Sequence, residues 1–311
     1  RRPPRSTPSN SSAASDVYKR QVPYLGGLAI GISFFVTLFA LRFLTHFPTG
    51  TLRNLRGIFF GGTLILLTGL IDDLRHLDYR LRLMVQVLAA FILIGYNIKV
   101  EFISDKTVAV LFTIFWVVGL TNAFNIIDIM DGLSAGVAVI ASLCFSLIAF
   151  PTEQYYVNFA GLALAGACLG FLYYNWFPAR IYMGDSGSLF IGFILAAISL
   201  GTSYTEVHKV AIFAPLLVLG IPIYDTSLVI YFRLQKGRSI FHGSPDHFPL
   251  RMEKLGYSRK EIVRLSYLFS GILGIAAFII TVVQFEIAVL VYILIFFLAL
   301  VSAHRLSFVK V

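Results

Sequence analysis

The sequence contains few charged residues and few cysteines. Asp, Glu, Lys and Arg together make up 13% of its 311 residues, whereas 58% are hydrophobic. A soluble globular domain is nearer a quarter charged and half apolar, so this composition argues against an ordinary soluble protein. The two cysteines, Cys144 and Cys168, lie inside apolar runs, and no Cys/His cluster has the spacing of a zinc site. We therefore interpret both cysteines as small packing residues.

Long apolar runs recur along the whole chain. They are continuous and do not alternate between apolar and polar residues, which favours membrane-spanning helices over a transmembrane β-barrel. The pattern predicts an all-α, polytopic integral membrane protein with about ten transmembrane helices. The predicted spans are about 23–46, 55–71, 81–98, 107–124, 133–150, 157–175, 187–201, 209–231, 262–283 and 286–303.

Composition divides the chain into three segments. Residues 1–21 are polar and rich in Ser, Pro and Arg, without the apolar core of a signal peptide, and we expect a disordered or non-native tail there. Residues 22–304 form the predicted transmembrane domain, and residues 305–311 form a predicted cytoplasmic C-terminal tail.

The net charge of +9 has a simple explanation in a membrane protein. Cytoplasmic loops are enriched in Lys and Arg. Alternating the spans from an inner N-terminus places most of the 25 Lys and Arg residues on the cytoplasmic side. This explains the basic composition better than binding to nucleic acid, so we expect no nucleic-acid partner. Both termini are then cytoplasmic.

The same alternation collects acidic residues at the inner ends of several helices. A charged side chain inside a membrane is costly and usually faces a cavity or a partner. The stretch "NAFNIIDIMDGLSAG", residues 122–136, spaces Asn125, Asp128 and Asp131 by three, so on a helix they would line one flank. Oxygen ligands of this kind suit Mg²⁺. A purely structural polar cluster is the alternative.

Three further stretches carry polar side chains on the same side. "GLIDDLRHLDYRLR" contains Asp72 and Asp73. These acids either lie at a solvated helix end, where arginines balance their charge, or bind a metal ion or take a proton. "MGDSGS" places Asp185 where a span begins, either as a helix N-cap or beside a metal or phosphate. The long basic loop with Asp246 and His247 is either an ordinary positive-inside loop or a phosphate-binding one.

Together these groups favour an enzyme over a transporter. A cation-coupled transporter, the distant alternative, would place its acids near the membrane midplane at broken helices. Here the acids fall at the cytoplasmic helix ends. That position suits a metal-bound anionic substrate that arrives from the cytoplasm and meets a partner dissolved in lipid.

Four motifs occur in one order along the chain, and as a set they are highly specific. They are "GLIDD" at 69–73, "NAFNIIDIMDGLSAG" at 122–136, "MGDSGSLF" at 183–190 and "PIYDT" at 222–226. Before them, "VPYLGG" at 22–27 resembles the Pro-x-x-Gly-Gly entry to an early helix in the same family. The chain resembles the polyprenyl-phosphate N-acetylhexosamine-1-phosphate transferases, glycosyltransferase family 4, over essentially all of 22–304. The resemblance implies a membrane enzyme with cytoplasmic catalytic loops that transfers a sugar-1-phosphate from a UDP-sugar to a polyprenyl phosphate and releases UMP.

The resemblance also implies the site residues. It implies a Mg²⁺ site, with Mn²⁺ able to substitute, at Asp185 and Asn125. It implies catalytic roles for Asp72, Asp73, Asp128, Asp131 and His247. Among these, Asp72 is the expected base that takes a proton from the lipid phosphate. It implies substrate contacts by Asn122, Asn175, Asp246 and Arg251. The expected partners are a UDP-N-acetylhexosamine and polyprenyl phosphate in the membrane, and a homodimer is left open.

The last cytoplasmic loop bears on which sugar is used. In the family, the branch that uses UDP-MurNAc-pentapeptide usually has a His-rich run there, and the UDP-GlcNAc branch tends to carry "DHxHHR". This chain reads "PDHFPLR" and lacks the later histidines. The resemblance favours GlcNAc-1-phosphate transfer to undecaprenyl or another polyprenyl phosphate, which would initiate a cell-envelope polysaccharide such as teichoic acid or O-antigen. The alternative is the phospho-N-acetylmuramoyl-pentapeptide transferase of peptidoglycan synthesis. Either enzyme is expected in the bacterial cytoplasmic membrane with its active site facing the cytoplasm.

Overall fold

The structure is a computed structural model that describes residues 24–48, 50–202, 204, 207–237, 239 and 246–309. The tail predicted over residues 1–21 lies outside the described residues. Within them the chain forms α-helices and one 3-10 helix, Lys209–Phe213, and no strand. The α-helices are α1 (Gly26–Leu44), α2 (Thr51–Arg75), α3 (Tyr79–Gly95), α4 (Lys106–Ile127), α5 (Leu133–Ala149), α6 (Tyr155–Asn175), α7 (Gly184–Gly201), α8 (Ala214–Val218), α9 (Gly220–Gln235), α10 (Phe248–Lys254), α11 (Arg259–Val282) and α12 (Phe285–Ser307).

The prediction of an all-α, polytopic membrane protein is confirmed. In the described part of the chain, seven helices are long and apolar enough to cross a membrane, namely α1, α2, α4, α6, α7, α11 and α12. The segments Lys209–Val218 and Gly220–Gln235 together could form an eighth span that is bent by 76°. The other two predicted spans coincide with α3 and α5, which have 17 residues each. The total of ten crossings therefore stays a prediction.

Helix α7 lies at the centre of the bundle. Every residue from Ser186 to Ser199 is buried, and α7 packs against α2 and α4 over most of its length. By contrast, only Ala288 and Leu306 are buried in α12, whose large apolar side chains are exposed to the surroundings. In lipid, an exposed apolar surface of this kind is the ordinary outer face of a helix. The structure therefore places α7 in the core and α12 at the periphery.

Glycines allow the start of α7 to touch two other helices with its backbone. A Cβ added to Gly69 of α2 would lie 2.4 Å from the Cα of Ser186, and one added to Gly27 of α1 would lie 2.1 Å from the backbone nitrogen of Gly187. Small residues let helices in membranes approach this closely. The backbone N–H of Gly27 also donates to the carbonyl of Met183 at 2.9 Å. The first turn of α7, which carries Asp185, is thereby fixed between α1 and α2.

Replacement of Gly69 tests this close packing. We expect Gly69→Ala to lower the free energy of unfolding by about 1–3 kcal/mol, because the new methyl group would meet backbone atoms that must shift. Thermal unfolding of the purified protein in detergent measures the effect. Gly119→Ala is the control, because nothing lies within 4 Å of a Cβ at that helical position. The control should be neutral or more stable, and equal behaviour of the two variants would contradict the packing described.

Candidate active site

Asp72 lies at the end of α2 with both carboxylate oxygens engaged. The side chain is 3% exposed. Its Oδ2 accepts a hydrogen bond from Arg82 Nη1 at 2.8 Å, and its Oδ1 accepts one from the backbone N–H of Leu77 at 2.6 Å. The chain turns after α2 because His76 adopts a left-handed backbone conformation, which brings the start of α3 back towards the carboxylate. Asp72 is therefore a buried, ion-paired acid at the end of the bundle.

Asp73 forms a cap on the central helix. Its Oδ1 accepts from the backbone N–H of Asp185 at 2.7 Å, and its Oδ2 accepts from that of Ser186 at 3.1 Å. The first N–H groups of a helix lack partners within the helix, so a carboxylate placed there satisfies them and complements the helix dipole. The backbone of Gly184, with φ of 69°, leaves room for the Asp73 carboxylate to approach. Asp73 thus holds Asp185 in place through its backbone.

Asp185 and Asn125 are in direct contact. Asn125 Nδ2 donates to Asp185 Oδ1 at 2.6 Å and to Ser188 Oγ at 3.0 Å. The second oxygen of Asp185 lies 3.7 Å from Arg82 Nη1. Among the described residues, no hydrogen bond is formed to the carbonyl oxygen of Asn125, which leaves that oxygen available as a ligand. The two residues that the resemblance assigns to metal binding therefore lie side by side.

Asp128 follows the last residue of α4 and is the acid of this cluster without a partner among the described residues. It is partly buried, and its side chain forms no hydrogen bond or ion pair within the described part of the chain. Burial, together with the neighbouring carboxylates of Asp185, Asp131 and Asp73, raises the pKa of the Asp128 carboxyl to about 7. In the described residues, Arg82 is the one basic side chain paired with these acids. The cluster therefore carries an excess of negative charge.

Asp131 and Asn175 connect loops beside the acid cluster. Asp131 Oδ2 accepts from the backbone N–H of Ala179 at 3.0 Å. The buried Asn175 accepts from the N–H of Gly132 at 2.8 Å and donates to the carbonyl of Ile181 at 2.9 Å. Both ends of the Asn175 amide are thus engaged with backbone. The structure places these two residues where they fix the chain on either side of the acids.

Asn122 lies within the helix bundle. Its Nδ2 donates to Gln86 Oε1 at 2.6 Å and to the carbonyl of Val118 at 2.8 Å. The Gln86 amide in turn donates to Asn122 Oδ1 at 3.4 Å. The two amides form a pair that links α3 to α4. This pairing engages the polar groups that a substrate contact would use, and the substrate role of Asn122 stays a prediction.

His247 is held by a buried acid from α9. Its Nδ1 lies 2.8 Å from Oδ2 of Asp225, and the other oxygen of Asp225 accepts from the N–H of Phe248 at 2.8 Å. Asp225 is fully buried. Among the described residues, no hydrogen bond or ion pair links His247 directly to Asp72 or Asp185. His247 and its partner therefore form a second polar centre.

Asp246 and Arg251 anchor the loop that contains His247. Asp246 Oδ1 accepts from Lys236 Nζ and from Arg251 Nη2, each at 2.7 Å. Arg251 also donates to the carbonyl of Leu306 at 2.9 Å and lies 3.7 Å from the centre of the Phe232 ring. Both Asp246 and Arg251 are almost fully buried. Their contacts are those of a structural anchor, and their predicted substrate contacts remain untested.

Two residues of these networks were not singled out from the sequence as site residues. Arg82 was seen only as one of several arginines near a helix end, and its pairing with Asp72 and Asp185 depends on how α3 folds back. Asp225 lies in the motif "PIYDT" and inside an apolar span. An acid inside such a span is itself a signal of function, and it could have identified this residue.

The donors present are compatible with Mg²⁺. Among the described residues, no three His, Cys, Asp or Glu side chains come close enough to form a complete metal site. Mg²⁺ rarely uses an all-protein cage, however, because it is usually held by one or two carboxylates together with water and substrate phosphates. The carboxylates of Asp185 and Asp128 and the carbonyl oxygen of Asn125 are hard oxygen donors of this kind. The excess negative charge of the cluster would also favour a cation.

Comparisons with known proteins bear on the identity of this site. The model of the family described as Glycosyl transferase family 4 matches residues 55–203, which contain the acid cluster. A probable undecaprenyl-phosphate N-acetylglucosaminyl 1-phosphate transferase of Bacillus subtilis is 30% identical over 92% of this chain and 81% of its own length. The homodimer that the resemblance left open finds no support in these comparisons.

Two further relatives carry the names of different transferases. A decaprenyl-phosphate N-acetylglucosaminephosphotransferase of Mycolicibacterium smegmatis is 32% identical over 84% of this chain and 72% of its own length. A phospho-N-acetylmuramoyl-pentapeptide-transferase of Clostridium botulinum is 33% identical over 85% of this chain and 84% of its own length. With relatives of this identity and coverage, and with Asp72, Asp73, Asn125 and Asp185 meeting at one end of a helical membrane bundle, the chain belongs to glycosyl transferase family 4, the superfamily of polyprenyl-phosphate sugar-1-phosphate transferases.

Proposed function

We propose that this protein transfers N-acetylglucosamine-1-phosphate from UDP-N-acetylglucosamine to undecaprenyl phosphate or another polyprenyl phosphate. UMP is the second product, and the lipid-linked sugar is the starting point of a cell-envelope polysaccharide. The observation that carries the proposal is the contact network of Asp72, Arg82, Asp185 and Asn125 at one end of the bundle. There a nucleotide from water and a phosphate carried by a lipid can meet. The relatives named for GlcNAc-1-phosphate transfer support the sugar.

The proposed reaction is a phosphoryl transfer. An oxygen of the lipid phosphate forms a bond to the β-phosphorus of the UDP-sugar, while the bond from that phosphorus to the bridging oxygen breaks and UMP leaves with the electron pair. When bound, Mg²⁺ supplies charge neutralisation for the pyrophosphate and the departing UMP. Asp185, Asp128 and Asn125 are the residues that would hold it. The acids themselves repel a polyphosphate, which makes a cation necessary for binding.

The remaining residues hold this arrangement together. Asp73 fixes the backbone of Asp185 through two hydrogen bonds. Asp72 is the proposed base for any proton on the attacking lipid phosphate, and Arg82 orients its carboxylate. Asn175 and Asp131 hold the neighbouring loops in place. His247 is the proposed contact of the sugar-nucleotide phosphates from the last loop.

The peptidoglycan enzyme is the second candidate. The relative of Clostridium botulinum with the name phospho-N-acetylmuramoyl-pentapeptide-transferase is as similar as the GlcNAc relatives, at 33% identity over 85% of the chain. The loop sequence "PDHFPLR" has one histidine and departs from the usual pattern of both branches. The relatives of Bacillus subtilis and Mycolicibacterium smegmatis, which are named for GlcNAc-1-phosphate transfer, favour GlcNAc.

A substrate assay decides between these candidates. We expect UMP release from UDP-GlcNAc that requires both polyprenyl phosphate and Mg²⁺, measured with the full chain in lipid nanodiscs. UDP-MurNAc-pentapeptide should be inert. If only UDP-MurNAc-pentapeptide reacts, the sugar assignment is wrong, and if neither donor reacts with the lipid present, the transferase assignment of this chain is wrong.

Replacement of Asp185 tests the metal assignment. We expect Asp185→Asn to lower kcat by on the order of 10²–10³-fold, because the variant loses a carboxylate that would hold the cation which neutralises the phosphates. Binding of Mn²⁺ in the presence of UDP-GlcNAc, followed by EPR, should weaken in parallel. Asp105→Asn is the matched control, since Asp105 caps the other end of α4 and asparagine caps equally well. Near wild-type turnover and Mn²⁺ binding in Asp185→Asn would remove this residue from the metal site.

The orientation of the active site is tested by thiol labelling of intact spheroplasts. The excess of Lys and Arg predicts that the active-site end faces the cytoplasm. We expect a membrane-impermeant maleimide to label Glu101→Cys, on the exposed loop at the other end, before permeabilisation. Tyr257→Cys, on the exposed turn between α10 and α11, should be labelled only afterwards. The reverse order would place the active site outside.

A further inference from the structure

Asp225 is a buried acid that none of the assigned roles uses. It lies within α9, its side chain is 0% exposed, and the segment around it is apolar. An ionised carboxylate in such surroundings is costly unless hydrogen-bond donors compensate it. Its two oxygens meet donors from adjacent residues of the last loop, His247 on one side and the backbone of Phe248 on the other. Both oxygens of this buried acid therefore meet the last loop.

The chemistry of this contact determines which ring nitrogen carries a proton. An ionised carboxylate only accepts hydrogen bonds. With Asp225 ionised, Nδ1 of His247, at 2.8 Å from Oδ2, is the donor, whether the ring is neutral or charged. Nε2 forms no hydrogen bond within the described residues. The contact with Asp225 thus leaves Nε2 as the nitrogen that can interact with a substrate.

A second set of contacts supports the same loop without involving the imidazole. Asp246 pairs with Lys236 and Arg251, and Arg251 ties α10 to the end of α12. These ion pairs hold the backbone next to His247. They do not determine the orientation of its ring or the position of its proton. Among the described residues, that task falls to Asp225.

We propose that Asp225 is a positioning residue that fixes the imidazole of His247, with its proton on Nδ1 and with Nε2 presented to the phosphates of the sugar nucleotide. This inference rests on the proposed function for the identity of the substrate. A carboxylate that orients a functional histidine in this way fixes both its tautomer and its ring orientation. The alternative is that Asp225 merely tethers the loop through the N–H of Phe248.

A double-mutant cycle separates the two roles. Asp225→Asn, His247→Ala and the double variant are compared with the wild type for kcat and KM with UDP-GlcNAc, in nanodiscs and with thermal unfolding as a check of folding. We expect Asp225→Asn to lower kcat/KM by about 10–100-fold, as for outer-shell partners of other site histidines. In the His247→Ala background the same change should cause no further loss, because Asp225 acts through the imidazole. A full additional loss in that background, or unchanged activity of Asp225→Asn, would overturn the proposal.

A spectroscopic measurement keeps the test independent of turnover. The six histidines can be labelled with ¹⁵N in the ring, and the signals of His247 are identified by their absence from His247→Ala. We expect a protonated Nδ1 in the wild type and a shift of the proton towards Nε2 in Asp225→Asn. The same ¹⁵N shifts in both proteins would show that Asp225 does not fix the ring. If the wild type turned over neither UDP-sugar, the proposed function would be wrong while this spectrum still decided the role of Asp225.

Discussion

The two hydrogen bonds from the first turn of α7 to the Asp73 carboxylate join the central helix to its neighbour α2. The first N–H groups of a helix have no partner within the helix, so an acceptor elsewhere in the protein stabilises them. Asp73 supplies it, and the adjacent Asp72 is thereby placed next to Asp185. The glycines of α1 and α2 let the backbones come close enough for this contact. The geometry of the acid cluster follows from one helix cap.

The charge of the cluster explains why its members differ in role although they are the same kind of residue. Asp73 is engaged with a helix terminus and Asp72 with Arg82, whereas Asp128 has no partner in the described chain. Within the described chain, Asp73 is therefore committed to the helix cap, whereas Asp128 remains available for a cation. The spacing of the acids in the sequence does not predict which of them have partners.

The sequence was sufficient to predict the helices and to place the acids near the ends of several of them, because hydrophobic runs and turn residues are local signals. It was not sufficient to pair the side chains. Asn122 and Gln86 are 36 positions apart, and Asp73 and Asp185 are 112 apart, so their contacts depend on how the helices pack. For the same reason the sequence alone does not connect Asp225 of α9 with His247 of the last loop. The motif resemblance predicted Asn125 and Asp185 as ligands of one metal ion, and the structure places the two side chains in contact.

The anchoring of the last loop to the end of α12 has a consequence for the order in which the protein is made. Arg251 donates to the carbonyl oxygen of Leu306, a residue that the ribosome adds 55 positions later. The acid cluster between α2 and α7 can assemble while the rest of the chain is still being synthesised. The loop with His247 can take its final position only after α11 and α12 have been inserted. The nascent chain therefore completes its two polar centres at different times, and the centre on the last loop is finished last.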